Sequence, residues 1–233
     1  MSPREFSLHV ETIGSSGHTG LTLAALGACL RGEQALPPRP VALTFDDGYA
    51  DVVEAVATLA DRALPSTTFV TTGRVGTAGM ISRSALADLR RLPLAEVAAH
   101  GVHHYRLDEL AGARIVDEVQ GSKAQLEDLI GAPVTSFAYP HGSYDARVRG
   151  AVIAAGYGAA AAVKNALSHS SDDPFAIARW TVTAGTTPRR IGEILEGQGA
   201  PLAWRRERLR TRASRTARRL RRLAEGESRA GLR

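Results

Sequence analysis

One stretch of the sequence, residues 41–71, decides the fold class: VALTFDDGYADVVEAVATLADRALPSTTFVT. It opens with a run from Val41 to Phe45 that is dense in β-branched and apolar residues, as strands are. From Asp51 to Arg62 the apolar side chains recur at helical spacing, and Thr67 to Thr71 is a second strand-like run. A strand, a helix and a strand in this order predict a βα unit within a parallel sheet.

The sequence downstream of this unit repeats the alternation. Ser82 is a favourable N-cap for one helix, and Gly131 is typical of the end of another. The predicted helices are 82–91, 113–130, 145–155 and 188–196, and the predicted strands are 96–99, 134–139, 157–162 and 179–183. We therefore expect an α/β domain with a largely parallel sheet or barrel, whose active site lies beyond the carboxyl ends of the strands.

Composition excludes several classes of protein. The chain has 233 residues, of which 44% are hydrophobic and 23% charged, which is ordinary for a globular domain and excludes global disorder and collagen. Cys29 is the only cysteine, so an intramolecular disulfide and a cysteine-based zinc site are excluded. The sequence shows neither a secretory signal nor the ~18 consecutive apolar residues of a membrane span. We expect a cytoplasmic protein.

The net charge of +5 is unevenly distributed. Residues 205–233 hold 12 Arg and 3 Glu, a net +9, whereas residues 1–204 hold 17 basic and 21 acidic side chains, a net −4. We predict a catalytic domain over 1–203 and a basic amphipathic tail over 204–233, helical from Trp204 to Ala224. Such a helix suits packing on the domain or peripheral binding to an anionic membrane surface. Nucleic acid is disfavoured because Trp204 is the tail's only aromatic residue.

Two polar clusters follow predicted strands. In TFDDGY, Asp46 and Asp47 are adjacent anions, which stay ionised together only beside a cation or strong hydrogen-bond donors; an ordinary Asp-Gly turn is the simpler alternative. In HGVHH, His100 and His104 are four residues apart and suit Zn²⁺ together with a carboxylate from elsewhere. Surface histidines, His103 above all, are the alternative.

Two further clusters lie near later strands. FAYPHGSYD, residues 137–145, places a Pro-x-Gly turn after a strand, where backbone N–H groups can stabilise an oxyanion. An ordinary strand-to-helix turn would have the same sequence pattern. DDPFAIARW, residues 172–180, places Arg179 at the start of a predicted strand. That cation would either pair with a surface acid or orient a catalytic carboxylate.

Together and in this order, the four segments resemble the polysaccharide deacetylase (NodB-homology) family, carbohydrate esterase family four. TFDDGY matches the first family motif, and HGVHH matches the H-x-x-x-H motif 53 residues on. FAYPHG resembles the FAYPYG form of the third motif, and DPFAIAR the DPFALPR form of the fourth. The resemblance covers roughly residues 40–185. It implies a deformed (β/α) barrel and metal-dependent hydrolysis of an N-acetyl group on a sugar.

The resemblance also implies roles for individual residues. Asp47, His100 and His104 would bind the divalent metal ion, most simply Zn²⁺, and Asp46 would be the general base for the attacking water. The backbone N–H of His141 would hold the oxyanion. Three neighbours would shape the substrate pocket: Tyr139, Pro140 and Gly142. Some relatives orient the base with an arginine in the third motif; here that position is Ala138, and Arg179 is the candidate replacement.

The general acid is the main departure from the family pattern. Many relatives supply a late histidine, but this sequence has none after His169. Relatives with the FAYPYG form carry an early histidine instead, in a strand before the first motif. His9, in FSLHV, fits that place, and His18 is its rival. We expect His9 to be the general acid.

The resemblance implies an enzyme that removes an N-acetyl group from an amino-sugar-containing glycan or glycolipid precursor. One alternative keeps the site but acts on a non-sugar amide, as an amidase or deformylase. Another is a non-catalytic carbohydrate- or membrane-binding protein on this scaffold. The missing late histidine favours that second alternative, whereas the intact Asp46, Asp47, His100 and His104 set argues against it.

Overall fold

The computed structural model describes residues 1–203 and Ala217. A single sheet of seven strands, with neighbours in chain order and every pair parallel, curls into a half-barrel. The strands are β1 Thr19–Leu21, β2 Pro40–Phe45, β3 Ser66–Val70, β4 Ala95–Ala99, β5 Ser136–Ala138, β6 Ala159–Val163 and β7 Ile177–Arg179. Apart from Ala217, the predicted helix from Trp204 to Ala224 lies outside the described residues.

Seven α-helices accompany the sheet within the described residues: α1 Pro3–Gly14, α2 Leu23–Leu30, α3 Val52–Ala60, α4 Arg83–Arg91, α5 Gly112–Ile130, α6 Ala146–Ala154 and α7 Pro188–Leu195. Two end signals read from the sequence are confirmed. The Ser82 side chain accepts from the N–H of Ala85 at the start of α4, and Gly131 ends α5 in the left-handed conformation, at φ 62°. None of the described helices is long and apolar enough to cross a membrane.

The last strand begins earlier than the sequence predicted. We expected 179–183, but β7 is Ile177–Arg179, paired with β6 from Ala161 to Val163. Because β6 ends at Val163, the chain beyond Arg179 has no parallel neighbour in that register. Arg179 therefore ends the strand, at the carboxyl edge of the sheet where an active site is expected.

The N-terminal segment also differs from the structure that we expected. The strand expected around His9 is wrong, because Pro3–Gly14 is a helix. Ser2 and Glu5 form a reciprocal capping box and Pro3 opens the first turn, two features that favour a helix start. The helix buries Val10 and Ile13, three residues apart, on one face.

Alanine-rich strands let helices pack on both faces of the sheet. Ala159 and Ala161 of β6 pack with Leu23 of α2 on one face, while Ala160 and Ala162 belong to the core on the other face, under helices α3 to α6. This alternation follows from the two-residue period of a strand. The approach of α2 is close, since a side chain at Gly27 would collide with Ala159.

Two histidines join the first helix region to the last helix. His9 Nε2 lies 2.8 Å from the carbonyl oxygen of Thr186, just before α7, and His18 Nε2 lies 3.1 Å from that of Leu195 at its end. A carbonyl oxygen only accepts, so each imidazole donates from Nε2. The segment around α1 thus holds both ends of α7.

Candidate metal centre and active site

The turn after β2 brings two adjacent carboxylates to one cleft. Asp46 leaves the strand, and then Asp47 and Gly48 both adopt positive φ, at 73° and 80°. Consecutive strand residues would point to opposite faces, but this left-handed turn redirects the Asp47 side chain. The Asp-Gly turn predicted from the sequence is therefore present, and it brings the Asp46 and Asp47 side chains to the same cleft.

His100 follows β4 and is almost fully buried, with 1% of its surface exposed. Its Nδ1 lies 2.8 Å from the carbonyl oxygen of Ala138 on the neighbouring β5. Because that oxygen only accepts, Nδ1 carries the proton and Nε2 is left with a free lone pair. Metal-binding histidines are fixed in this way by a second hydrogen bond.

Three potential ligand atoms converge beside this imidazole. Asp47 Oδ1 lies 3.0 Å from His104 Nε2 and 3.5 Å from His100 Nε2, and one ligand atom from each residue lies within 4.8 Å of the others. The Oδ1 atom is buried and, within the described residues, has no hydrogen bond of acceptable geometry. The set Asp47, His100 and His104 therefore fits a divalent ion: one carboxylate and two imidazoles point to a common centre.

The protonation states of these side chains also suit metal binding. The close His104 imidazole outweighs the effect of burial and lowers the pKa of Asp47 to about 2. Burial lowers the pKa of His100 to about 4, despite the opposing charge of Asp46. At neutral pH the carboxylate is thus ionised and the buried imidazole neutral, which are the forms that bind metals.

Asp46 is held by an arginine from the far edge of the sheet. Arg179 Nη1 donates to Oδ1 at 2.6 Å and Nη2 donates to Oδ2 at 2.9 Å, and Nη1 also donates to Thr44. Burial would raise the pKa of Asp46, but the guanidinium charge and its hydrogen bonds hold it below the usual value. The predicted contact between Arg179 and Asp46 is confirmed, and the guanidinium also lies over the Phe69 ring.

The turn after β5 completes the rim of the cluster. His141 has a positive φ of 58°, and its ring lies 4.4 Å from that of His104. Its backbone N–H has no hydrogen-bond acceptor within the described residues. Gly142 also has positive φ and lies against β6, where a side chain would approach the backbone nitrogen of Val163 to 2.8 Å. The turn is thus held tightly against the sheet.

Tyr139 and Pro140, which we expected to shape the substrate pocket together with Gly142, are buried beneath the turn, and their part in substrate binding stays a prediction. Tyr139 is fully buried, and its hydroxyl donates to the carbonyl oxygen of Phe175 at 2.9 Å. Pro140 is also buried. Strand alternation explains this placement, since Ala138 packs in the cluster with Leu23 and Tyr139 packs in the cluster on the opposite face of the sheet. Both residues support the turn from below.

The general acid predicted from the sequence is not among the residues that meet at the cluster. His9 lies in a helix and donates to Thr186, and His18 donates to Leu195. We assigned His9 as the acid because we expected it to lie in a strand before the first motif, and residues 3–14 form a helix instead. The assignment of either histidine stays a prediction.

One residue beside the site, Glu118 of α5, was not predicted from the sequence. It is 4% exposed and accepts hydrogen bonds from the loop between His100 and His104. The signal was present: an acid next to Val119 on the apolar face of an amphipathic helix is unusual unless it has partners.

A cavity of about 970 Å³ opens beside Asp46. It is lined by Thr44 and Arg179 near Asp46 and continues along apolar side chains of α2. Asp46 is one of its lining residues, whereas the three potential metal ligands are not. The cavity therefore borders the ligand cluster at Asp46, the residue before Asp47.

Comparison with known proteins agrees with these features. The family model described as polysaccharide deacetylase matches residues 33–160. A Bacillus subtilis (strain 168) protein named "Putative polysaccharide deacetylase YxkH" is 21% identical over 194 residues, which cover 83% of this chain and 69% of that protein.

Solved structures share the fold. The deacetylase PplD of Streptococcus pyogenes, in complex with acetate, has a TM-score of 0.75 at 18% identity, covering 82% of this chain and 91% of that one. IcaB from Ammonifex degensii has a TM-score of 0.72 at 22% identity, covering 84% of this chain and 90% of that one.

Proposed function

The chain belongs to the polysaccharide deacetylase family, and from that membership we propose that it is a metal-dependent hydrolase removing an N-acetyl group from an amino-sugar-containing glycan or glycolipid precursor. The observation that carries this proposal is the juxtaposition of two sets of side chains. Asp47, His100 and His104 converge on a common centre, and next to them Asp46 is ionised and oriented by Arg179.

Asp47, His100 and His104 would hold the divalent ion, for which we favour Zn²⁺ because two imidazoles and one carboxylate form a common zinc set. A Zn²⁺ ion in such a set supplies Lewis-acid chemistry: it polarises the amide carbonyl and acidifies water. The neutral His100 imidazole and the ionised Asp47 need no proton rearrangement before they bind it.

Asp46 would act as the general base. Its carboxylate is kept ionised by Arg179, so it can take the proton of the attacking water at neutral pH. The two hydrogen bonds from the guanidinium also fix the plane of the carboxylate. This division of labour explains how adjacent acids coexist: Asp47 faces the two imidazoles, and Asp46 faces the guanidinium.

The backbone N–H of His141 would stabilise the oxyanion that develops on the acetyl carbonyl. It has no protein acceptor among the described residues, and its turn lies beside His104. The proton for the departing amine would come from His9 in our prediction.

Acetate release tests the proposed function. Purified protein, stripped with a chelator and reloaded with Zn²⁺, is assayed on a panel of N-acetylated amino sugars and their oligomers. We expect release by the reloaded protein and none by the stripped protein. Cleavage of small non-sugar amides or formamides without acetate release from the sugars would replace the proposal with the amidase or deformylase alternative. Inactivity on all of them, with the metal bound, would favour a binding protein.

A further inference from the structure

The loop that carries the two histidines has an unusual backbone conformation. Only residues 101–103 separate His100 from His104, yet both imidazoles lie within 3.5 Å of the same oxygen, Asp47 Oδ1. Gly101 and His104 both have positive φ, at 75° and 61°. A non-glycine residue in this conformation is strained, so surrounding groups must hold His104 there.

One carboxylate satisfies the N–H groups of this loop. Glu118 Oε2 accepts from the backbone N–H groups of Val102 and His103, each at 2.9 Å. Its Oε1 lies 2.6 Å from His103 Nδ1, which donates because an ionised carboxylate only accepts. All three donors belong to the segment between the two histidines.

The opposite side of the loop is held by the turn after β3. The carbonyl oxygens of Gly101 and Val102 accept from the N–H groups of Thr72 and Gly73, at 3.1 and 2.9 Å. This turn approaches so closely that a side chain at Gly73 would lie 2.6 Å from the Val102 oxygen. The loop is therefore held on one side by the backbone of the turn after β3 and on the other by Glu118.

Burying Glu118 is costly, which indicates that its contacts matter. The residue is 4% exposed and has no Lys or Arg partner within the part of the chain that the structure describes. A buried carboxylate is tolerated when several hydrogen bonds compensate for its lost hydration, and here the donors all come from one loop. The same oxygen also lies close to Gly101, where an added side chain would approach it to 3.2 Å.

We infer that Glu118 is a positioning residue for the metal centre: it fixes the loop that sets the separation of His100 and His104. This inference rests on the proposed function, because it concerns the same three potential ligands. Groups that orient metal ligands typically change metal affinity about 10- to 100-fold when they are lost. The hydrogen bonds of Glu118 described above go to Val102 and His103 and not to the three potential ligands, so its effect on them passes through the loop.

The test compares Glu118→Leu with Glu118→Gln in Zn²⁺ binding to the chelated protein by titration calorimetry. Leucine removes all three contacts, and we expect affinity to fall roughly 10- to 100-fold. Glutamine keeps an oxygen for the two backbone N–H groups, and its amide can donate to neutral His103, so we expect affinity within about 3-fold of wild type.

The matched control is Glu127→Leu on the same helix. Glu127 also accepts from a backbone N–H, that of Val134 at 2.9 Å, but this contact lies at the other end of α5. We expect its loss to leave Zn²⁺ affinity unchanged. If Glu118→Leu does not fold by circular dichroism, Glu118→Ala removes the same three contacts with a smaller side chain and should lower affinity as well.

The outcomes separate the two proposals. Wild-type protein that binds no Zn²⁺ overturns the metal-dependent function. Wild type that binds, with Glu118→Leu folded and binding equally well, overturns the positioning role alone. Equal losses in Glu118→Leu and Glu127→Leu would likewise reduce Glu118 to a general contribution to stability.

Discussion

Arg179 donates two hydrogen bonds to Asp46, one to each carboxylate oxygen, at 2.6 and 2.9 Å. The two residues are 133 positions apart and lie at the carboxyl ends of β7 and β2. A bidentate arginine fixes both the charge and the plane of a carboxylate. The orientation of the proposed base is thus decided by a strand remote from it in sequence.

Asp46→Asn should abolish turnover while the metal stays bound. Asparagine keeps the size of the side chain but cannot accept a proton, and general bases contribute typically 10²- to 10⁴-fold in rate. We expect kcat to fall by about that factor, with Zn²⁺ affinity within a few-fold of wild type by calorimetry. His104→Ala is the contrasting variant and should lose the metal. Full activity of Asp46→Asn would contradict the mechanism.

Arg179→Met should move the acid limb of the pH–rate profile to higher pH. The guanidinium holds the pKa of Asp46 down against the effect of burial, so without it the pKa rises and the base is protonated at higher pH. The measurement is kcat/KM against pH. Arg179→Lys restores a cation without the bidentate geometry and should lie between methionine and wild type. An unshifted acid limb in the methionine variant would show that Asp46 is not the titrating base.

His141→Ala should retain most of the activity. We assign the oxyanion contact to the backbone N–H, which alanine keeps, whereas the imidazole contacts the ring and the backbone of His104. We expect kcat within about 10-fold of wild type, since loss of a true oxyanion donor typically costs about 10² to 10³. A loss of that larger size in a folded, Zn²⁺-loaded variant would mean that the side chain itself is required.

The metal-free protein should lose stability between about pH 6.5 and pH 4. Burial lowers the pKa of His100 from 6.5 to about 4, so in this window the unfolded chain binds a proton that the folded chain does not. The free energy of unfolding should therefore fall as pH falls, by on the order of 3 kcal/mol over the window. Urea denaturation of chelated protein measures this.

His100→Asn is the control for that slope. Asparagine can still donate to the Ala138 carbonyl but does not titrate, so the pH dependence over this window should flatten. An equal slope in both proteins would assign the effect to other groups.

Truncation after Ala203 tests the predicted basic tail. The backbone of Ala203 donates to Leu167, so this cut keeps the last described contact of the domain. We expect unchanged activity on soluble substrate and weaker binding to vesicles containing anionic lipid, by about 1 kcal/mol for each basic residue near the surface. Equal vesicle binding by both forms, measured by co-sedimentation, would remove the membrane role.

Local signals in the sequence determined much of the fold. The βα unit from Val41 to Thr71, the N-cap at Ser82 and the helix end at Gly131 are all confirmed, because apolar period, caps and glycine turns act over a few residues. The N-terminal helix was missed. Its capping residues, Ser2 and Glu5, are present in the sequence, but the family resemblance led us to expect a strand around His9.

The sequence by itself determined which residue types could form the site and, for Asp47, His100 and His104, the chemistry they share. Only the tertiary structure decided which atoms meet: Arg179 with Asp46, and Glu118 with the loop before His104. It also decided that Tyr139 is fully buried beneath the turn after β5. The physical reason is that helix and strand signals are local, whereas these contacts depend on strand order and register, which bring distant side chains together at one edge of the sheet.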